Sequence, residues 1–304
     1  MKKNVHEGIS KIKNTFLRQT LPAENSMDHE IPTIIVPAPP ENRVKFYPRQ
    51  LIVGSAQSIG LVRDHNEDAL FTLCSTISFA DSQLPLGIFI IADGMGGHLH
   101  GEIASSVAVR SSSEILTNIL FSQLIGLQAK PQEENLQDIL VNCILEVNRQ
   151  VIRKAPGGGT TLTIAILIGN QITIAHIGDS RAYIISPDNQ CSVITRDHSL
   201  VNRLVEVGEI TQEEAAVHPQ RNVLIRAIGQ VEPVIPDIFT TPFSEGSHLL
   251  LCSDGLWGVI SKDELVKIIT TTPNPSLACH KLVKAVYKEG APDNISIILA
   301  QFLD

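Results

Sequence analysis

Carboxylates recur in one local context along this chain. Three aspartates each adjoin a glycine and follow an apolar run typical of a buried strand, and further acidic residues stand just before two other such runs. Because strand ends from distant parts of a chain can converge at one edge of a fold, this pattern predicts a shared acidic site. The residues concerned are Glu67, Asp68, Asp93, Asp179, Asp254 and Asp293.

Carboxylates that are packed together repel one another, and a cation is the usual remedy. No nearby histidine or cysteine group supplies soft ligands, so oxygen ligation favours Mg²⁺ or Mn²⁺ over zinc or copper. The main-chain carbonyl of Gly94 is a further candidate ligand, since glycines let backbone approach a ligand closely. Two such ions about 3.5–4 Å apart can activate a bridging water and hold a phosphate. Arg63 could grip that phosphate through its guanidinium.

Simpler structural roles compete with metal ligation at two of these positions. Asp93 could be a turn residue that caps a helix beginning near Glu102. Asp179 could order its own turn by accepting hydrogen bonds from Ser180 or from the backbone that follows. The residues alone leave these alternatives open.

The composition limits the class of protein. With 304 residues, 43% hydrophobic and 18% charged, the chain suits one large domain or two small ones. Its formal net charge of −8, without a long basic stretch, argues against nucleic acid or an anionic membrane as partner. No apolar run approaches the roughly 20 residues of a membrane span, and the first residues lack the apolar core of a signal peptide. Five scattered cysteines without a Cys-x-x-Cys pair argue against zinc or disulfides and predict a reducing, cytoplasmic location.

The chain divides into two regions of different composition. Residues 1–48 are rich in proline from Pro22 onward and carry interspersed acidic residues, which predicts a disordered N-terminal extension. A docking or regulatory role for this segment is the alternative to a tail without function. Residues 49–304 are predicted to form the folded domain.

The folded domain must position these carboxylates with the following elements. Gly169-Asn170 links two strand-like runs as a hairpin. Residues 197–229 form a polar excursion with two short helices, one opened by the capping box at residues 211–214, and we expect it to lie over the site. Strands and helices do not alternate one by one, which predicts two packed, mainly antiparallel sheets with helices outside. Strands are predicted over residues 51–58, 69–73, 88–91, 160–168, 171–177, 181–185, 248–253 and 295–302, and helices over 102–120, 135–152, 261–271 and 277–289.

Seven short motifs occur in a fixed order between about Leu51 and Leu303. They are Arg63 with Asn66-Glu67-Asp68, Asp93-Gly94-Met95-Gly96-Gly97-His98, Gly158-Gly159-Thr160-Thr161, Gly178-Asp179-Ser180-Arg181, Asp197-His198-Ser199-Leu200, Ser253-Asp254-Gly255-Leu256-Trp257 and Asp293-Asn294. Any one of them is a weak signal, but the full ordered set is highly specific. In this set the chain resembles the metal-dependent serine/threonine protein phosphatases of type 2C (PPM), in the bacterial branch.

The resemblance implies an α+β fold, a four-layer αββα sandwich whose two central, mainly antiparallel sheets are flanked by helix pairs. It implies that residues 49–304 are the catalytic domain. It further implies that Asp93 bridges two metal ions, with the Gly94 carbonyl on the first ion and Asp254 and Asp293 on the second.

The remaining acidic residues and the excursion also receive roles from the resemblance. Glu67 and Asp68 would lie close to the ions, through bound water, and Asp179 together with Asp254 would hold a weaker third ion. Residues of about 197–229 would form the flap, a segment that varies between members of the family.

The resemblance places Arg63 on the substrate phosphate and leaves the general acid open. Animal enzymes of this type carry a histidine directly after the Asp-Gly pair, where this chain has Met95. His98 is the nearby imidazole and the candidate for this catalytic role, with a hydrogen bond that orders the loop as the alternative. For His198 the two possible roles are likewise catalysis and a structural role, here in the flap.

The activity that the resemblance implies is hydrolysis of phosphoserine and phosphothreonine on proteins, by a water that bridges two Mn²⁺ or Mg²⁺ ions. The implied setting is signal transduction opposite Ser/Thr kinases, by a monomer whose partners are its phosphorylated protein substrates. A fold-sharing binding module without catalysis is one alternative, which the loss of a metal-position aspartate would indicate; none is lost here. Hydrolysis of small phosphate esters or phosphodiesters by the same ions is another.

Overall fold

The computed structural model describes residues 50–79, 82–95, 99–124, 135–230 and 232–303. The predicted N-terminal extension over residues 1–48 lies outside this part of the chain, and so does His98. Within the described ranges, no helix is both long and apolar enough to cross a bilayer.

The strands of the described residues form two sheets in which every strand pair is antiparallel. The first sheet contains β1 (Leu51–Ser58), β7 (Arg181–Ile185), β8 (Cys191–Val193), β10 (His248–Cys252) and β11 (Ile295–Phe302), in the order β1-β11-β10-β7-β8. The second contains β2 (Asp68–Phe79), β3 (Ser82–Met95), β5 (Leu162–Ile168), β6 (Gln171–Ile177) and β9 (Asp237–Pro242), in the order β2-β3-β5-β6-β9, and the short β4 (Gly159–Thr160) pairs with the end of β3.

Two pairs of longer helices cover the outer faces of the sheets. Helices α1 (Leu99–Leu124) and α2 (Leu136–Lys154) pack on the second sheet, and α6 (Lys262–Thr270) and α7 (Pro275–Lys288) pack on the first. Capping side chains begin three of them, since Asn135, Ser261 and Asn274 each accept a main-chain N–H from the first turn. The short helices are α3 (Leu200–Glu206), α4 (Gln212–Ala216) and α5 (Asp254–Trp257).

Strand β3 shows how these layers share one core. Its run Ile88–Ile91 is fully buried. Ile88 and Ile90 pack with apolar residues of α1 and α2, whereas Phe89 and Ile91 pack between the two sheets with residues such as Ile298. A third cluster joins the first sheet to α6 and α7. The predicted α+β sandwich of helix pair, sheet, sheet and helix pair is confirmed.

Several boundaries differ from the predicted ones. Strand β3 continues through Asp93 to Met95, and α1 begins at Leu99, so Asp93 lies within a strand and the predicted capping role is wrong. Strand β2 runs to Phe79, well beyond residue 73. Strand β9 was not predicted, because it is a short, half-exposed edge strand that includes two threonines and a proline.

Candidate active site

Asp68 and Asp93 lie directly opposite each other on the paired strands β2 and β3. Like charges at directly opposed positions repel and destabilise the pairing of the two strands. These two aspartates therefore mark the candidate site. The backbone of Asp93 is held firmly by the neighbouring strand. Its N–H donates to the Thr161 hydroxyl at 2.8 Å, and its carbonyl accepts from the Thr161 N–H at 2.9 Å and from the Thr160 hydroxyl at 2.8 Å.

The other sheet brings two more carboxylates to the same cleft. Asp254 is the first residue of α5, immediately after β10, and Asp293 stands two residues before β11. Asp179 follows β6, so the predicted hairpin of β5 and β6 carries it to this edge. The cleft has a volume of about 650 Å³. Its lining includes Arg63, Glu67, Asp93, Gly94, Met95, Asp179, Asp254 and Asp293.

Asp68 is buried opposite Asp93, is not among the described residues that line the cleft, and has a hydrogen-bond partner on only one carboxylate oxygen. The Ser253 hydroxyl donates to its Oδ2 at 2.9 Å, whereas its Oδ1 is buried without a hydrogen-bond partner. Burial raises the pKa of Asp68 to about 7, the hydrogen bonds from Ser296 and Ser253 oppose the rise, and the charges of Asp254 and Asp293 add to it. A buried acceptor in this state is expensive unless a cation or a proton satisfies it.

The pKa values of three neighbouring carboxyl groups are raised in the same way. Burial, and then the charges of Asp68 and Asp254, raise the pKa of Asp93 well above its ordinary value. Burial and the charge of Asp293 raise the pKa of Asp254 to about 6. Burial and the charges of Asp254 and Asp197 raise the pKa of Asp179 to about 8. All three raised pKa values favour the protonated carboxyl over the carboxylate. Binding of a cation would therefore stabilise these carboxylates.

Arg63 stands at the exposed rim of the cleft. Its Nη2 donates to Oδ2 of Asp293 at 2.6 Å, and this hydrogen bond raises the pKa of the guanidinium. About half of the Arg63 side chain is exposed, so it is accessible from solvent. Arg63, the predicted phosphate-binding residue, therefore lies beside the carboxylates, and its guanidinium is hydrogen-bonded to one of them, Asp293.

Glu67 and Gly94 meet where β3 approaches helix α1. The Gly94 N–H donates to the Glu67 carbonyl at 3.1 Å. A Cβ on Gly94 would lie 2.3 Å from the carbonyl oxygen of Gly101 and 2.6 Å from that of Glu67, so only glycine fits here. The Glu67 side chain is in turn 3.3 Å from Nε2 of His65.

Hydrogen bonds that the sequence did not predict hold these loops in place. Asn294 receives the Glu67 N–H at 2.8 Å and donates to the carbonyls of Ile59 and His65 at 2.9 and 3.0 Å. It thereby fixes the Arg63 loop against Asp293. In the sequence, the place of Asn294 in the Asp293-Asn294 motif marked it as a site residue, but that motif does not predict its hydrogen-bond partners.

The flap is anchored beside Asp179. His198 is buried; its N–H donates to the Gly178 carbonyl at 2.7 Å, and its Nδ1 accepts the Gly178 N–H at 3.1 Å. The Trp257 indole donates to the Asp179 carbonyl at 3.0 Å. The contacts of His198 are those of a residue that orders the flap, the structural alternative considered for it.

The donor set fits hard divalent ions. It consists of carboxylate oxygens and one glycine carbonyl, which are ligands that Mg²⁺ and Mn²⁺ prefer, and the unpartnered Oδ1 of Asp68 is an acceptor that such an ion or its water would satisfy. In the described part of the chain, no three His, Cys, Asp or Glu side chains already stand as a ready-made metal site.

Comparison with known proteins gives one consistent result. The family model described as "Protein phosphatase 2C" matches residues 53–295. The serine/threonine phosphatase Stp of Listeria welshimeri is 36% identical over 248 residues, which cover 80% of this chain and 92% of that protein. PstP of Mycobacterium tuberculosis is 32% identical over 245 residues, 81% of this chain and 44% of that protein.

Solved structures agree with this result. The Streptococcus agalactiae serine/threonine phosphatase matches with a TM-score of 0.68 at 29% identity, covering 84% of this chain and all of that one. The catalytic domain of PstP, solved in complex with two manganese ions, matches with a TM-score of 0.65 at 28% identity, covering 84% of this chain and 99% of that one.

Proposed function

Because the chain belongs to the protein phosphatase 2C family of serine/threonine phosphatases, we propose that it uses two divalent ions in its acidic cleft to hydrolyse phosphoserine and phosphothreonine on proteins. The observation that carries this proposal is the buried Asp68, one oxygen of which lacks a partner, opposite Asp93, together with the raised pKa values of Asp68, Asp93 and Asp254. Such a group is costly to the fold unless it serves a cation.

We assign the ligands as follows. Asp93 would serve both ions, the Gly94 carbonyl would serve the first, and Asp254 and Asp293 would serve the second. Asp68 would accept hydrogen bonds from ion-bound water, a role for which its unpartnered Oδ1 is suited. Mn²⁺ and Mg²⁺ both suit these oxygen ligands, and two manganese ions are named in the structure of the PstP catalytic domain.

Glu67 and Asp179 complete the acidic set. Glu67 lies close to Gly94 and would contact the first ion through water. Asp179, with Asp254, would offer two carboxylates to a weaker third ion, and the charge of Asp254 contributes to the raised pKa of Asp179. Few protein ligands at that place would make occupancy depend on the metal concentration.

The chain's own residues bind and orient the phosphorylated side chain. The ions, when bound, supply an activated water and offset the charge of the phosphate. A phosphate in the cleft would compete with Asp293 for the Arg63 guanidinium, which can donate two hydrogen bonds to it. His98 remains the proposed general acid; it lies outside the described residues, three positions after Met95 in the sequence, and Met95 lines the cleft.

The wider setting follows from the same proposal. Residues 49–304 form the catalytic domain, with a flap of about 197–229 and an N-terminal extension over residues 1–48. The protein acts as a monomer in the cytoplasm, opposite Ser/Thr kinases. The five cysteines are free thiols, which agrees with a reducing compartment.

A comparison of two substrates tests this function. Phosphate release from a phosphothreonine peptide is measured beside release from a nucleotide monophosphate, both with Mn²⁺. We expect a much higher kcat/KM for the peptide. Faster turnover of the nucleotide would favour a small-molecule phosphatase, and release from neither would favour a binding module without catalysis.

A further inference from the structure

Two aliphatic side chains from different segments line the cleft, whose other lining residues are mostly charged or polar. Val62 precedes Arg63 in the loop between β1 and β2, and Leu224 belongs to the flap. Val62 is 68% exposed, whereas Leu224 is half-buried. We call these two residues the apolar rim.

The exposure of Val62 belongs to a fixed loop. The neighbouring Leu61 N–H donates to the Ala291 carbonyl at 2.8 Å. Gly60 has a φ of +81°, and a Cβ there would lie 2.4 Å from the Asp293 carbonyl oxygen, so the backbone packs directly on that residue. The backbone just before Val62 is thus fixed by contacts at Gly60 and Leu61, and Val62 itself is exposed to solvent at the cleft.

Leu224 is fixed in the same way. It forms an isolated antiparallel bridge with Ser199. The Ile225 N–H donates to the His198 carbonyl at 2.8 Å, and the Leu200 N–H donates to the Val223 carbonyl at 2.8 Å. Since alternate residues of an extended segment face opposite sides, this pairing turns Leu224 toward the cleft.

We propose that the apolar rim binds a large aliphatic or aromatic side chain next to the phosphorylated residue, so that the preferred substrates carry such a residue beside their phosphoserine or phosphothreonine. This inference rests on the proposed phosphatase function. Covering the two rim side chains removes apolar surface from water.

Two peptides test the preference. Both have phosphothreonine at the centre, flanked on each side by leucine in one and by serine in the other. We expect the wild-type kcat/KM to be about tenfold higher for the leucine peptide, mainly through KM, which corresponds to burying part of one leucine side chain. Val62→Ser and Leu224→Ser should each reduce this ratio to about threefold or less.

The chain supplies a matched control beside each rim residue. Leu61 is 62% exposed and Val223 is 43% exposed, and neither is among the described residues that line the cleft. Leu61→Ser and Val223→Ser should leave the ratio unchanged. Hydrolysis of an aryl phosphate measures the active fraction of each preparation. If Leu224→Ser weakens the flap, Val62→Ser decides alone, because Val62 is too exposed to support the fold.

The outcomes separate the two proposals. An active enzyme that hydrolyses both peptides equally well would overturn the role of the rim and leave the phosphatase function standing. An equal loss of preference in the control variants would also overturn it. Absence of phosphate release from both peptides and from the aryl phosphate would overturn the phosphatase function, and the rim proposal with it.

Discussion

Replacing Asp68 by asparagine should stabilise the metal-free protein. Asp68 on β2 lies directly opposite Asp93 on the neighbouring strand β3, and the Oδ1 of Asp68 is buried without a hydrogen-bond partner. Asparagine keeps the shape and can still accept the hydrogen bond that the Ser253 hydroxyl donates to Oδ2. The substitution therefore removes a buried charge that only a cation would make favourable.

The size of the effect follows from the pKa of Asp68. The folded protein raises this pKa, chiefly through burial, from the usual 3.8 to about 7. A carboxyl with a raised pKa costs the folded state nothing below about pH 4, and its full cost is reached above about pH 7. Since one pKa unit corresponds to about 1.4 kcal/mol, that cost is at most about 4 kcal/mol. We expect Asp68→Asn to raise the free energy of unfolding by about 2–4 kcal/mol at pH 8 and by about 1 kcal/mol or less at pH 4.5.

Urea unfolding in the presence of a chelator measures both proteins at both pH values. Glu114→Gln is the control, because Glu114 is an exposed carboxylate of α1 outside the cleft, and we expect the stability of this variant to match that of the wild type. Added Mn²⁺ should stabilise the wild type more than the variant. An Asp68→Asn variant that is less stable than wild type in chelator at pH 8 would refute the reasoning, since the carboxylate would then be satisfied by the protein alone.

Three further predictions concern the phosphate, the third ion and the extension. Arg63→Ala should lower kcat/KM for a phosphopeptide roughly tenfold to a hundredfold, mainly through KM, because a charge-assisted hydrogen bond is worth about 1.5–3 kcal/mol; unchanged kinetics would remove Arg63 from the site. Asp179→Ala should lower turnover while calorimetry still shows two tight metal sites. A large loss of melting temperature with normal turnover would instead make Asp179 structural. Deletion of residues 1–45 should leave aryl phosphate hydrolysis nearly unchanged, because such proline-rich chain cannot bury enough apolar surface to join a core; a truncated protein that fails to fold would contradict this.

Local patterns predicted the elements that carry strong local signals. Gly169-Asn170 links β5 and β6 as expected from a two-residue turn, and the capping box at Thr211 and Glu214 begins α4. Both depend on interactions within a few residues. Strand β9 escaped prediction, because its stability comes from pairing with β6 and little of it is apolar.

The sequence predicted which residues belong to the site, but it did not predict which of them contact one another. Apolar runs ending at Asp93 and Asp179 showed which carboxylates reach a sheet edge. The opposition of Asp68 to Asp93 depends on the register of β2 against β3, which a strand pattern does not specify. The ion pair between Arg63 and Asp293 joins residues 230 positions apart, and the pairing of β1 with β11, which places Ser58 opposite Ile295, brings them together.

The central claim is that the cleft carboxylates hold divalent ions that are required for phosphoprotein hydrolysis. The most direct test is phosphate release from a phosphothreonine peptide across a Mn²⁺ titration, for wild type and for Asp93→Asn, with circular dichroism to verify the fold of each. We predict that chelator abolishes wild-type turnover, that excess Mn²⁺ restores it, and that a correctly folded Asp93→Asn is slower by about a hundredfold or more at every Mn²⁺ concentration. Wild-type turnover that survives the chelator, or near-normal turnover of Asp93→Asn, would contradict the claim.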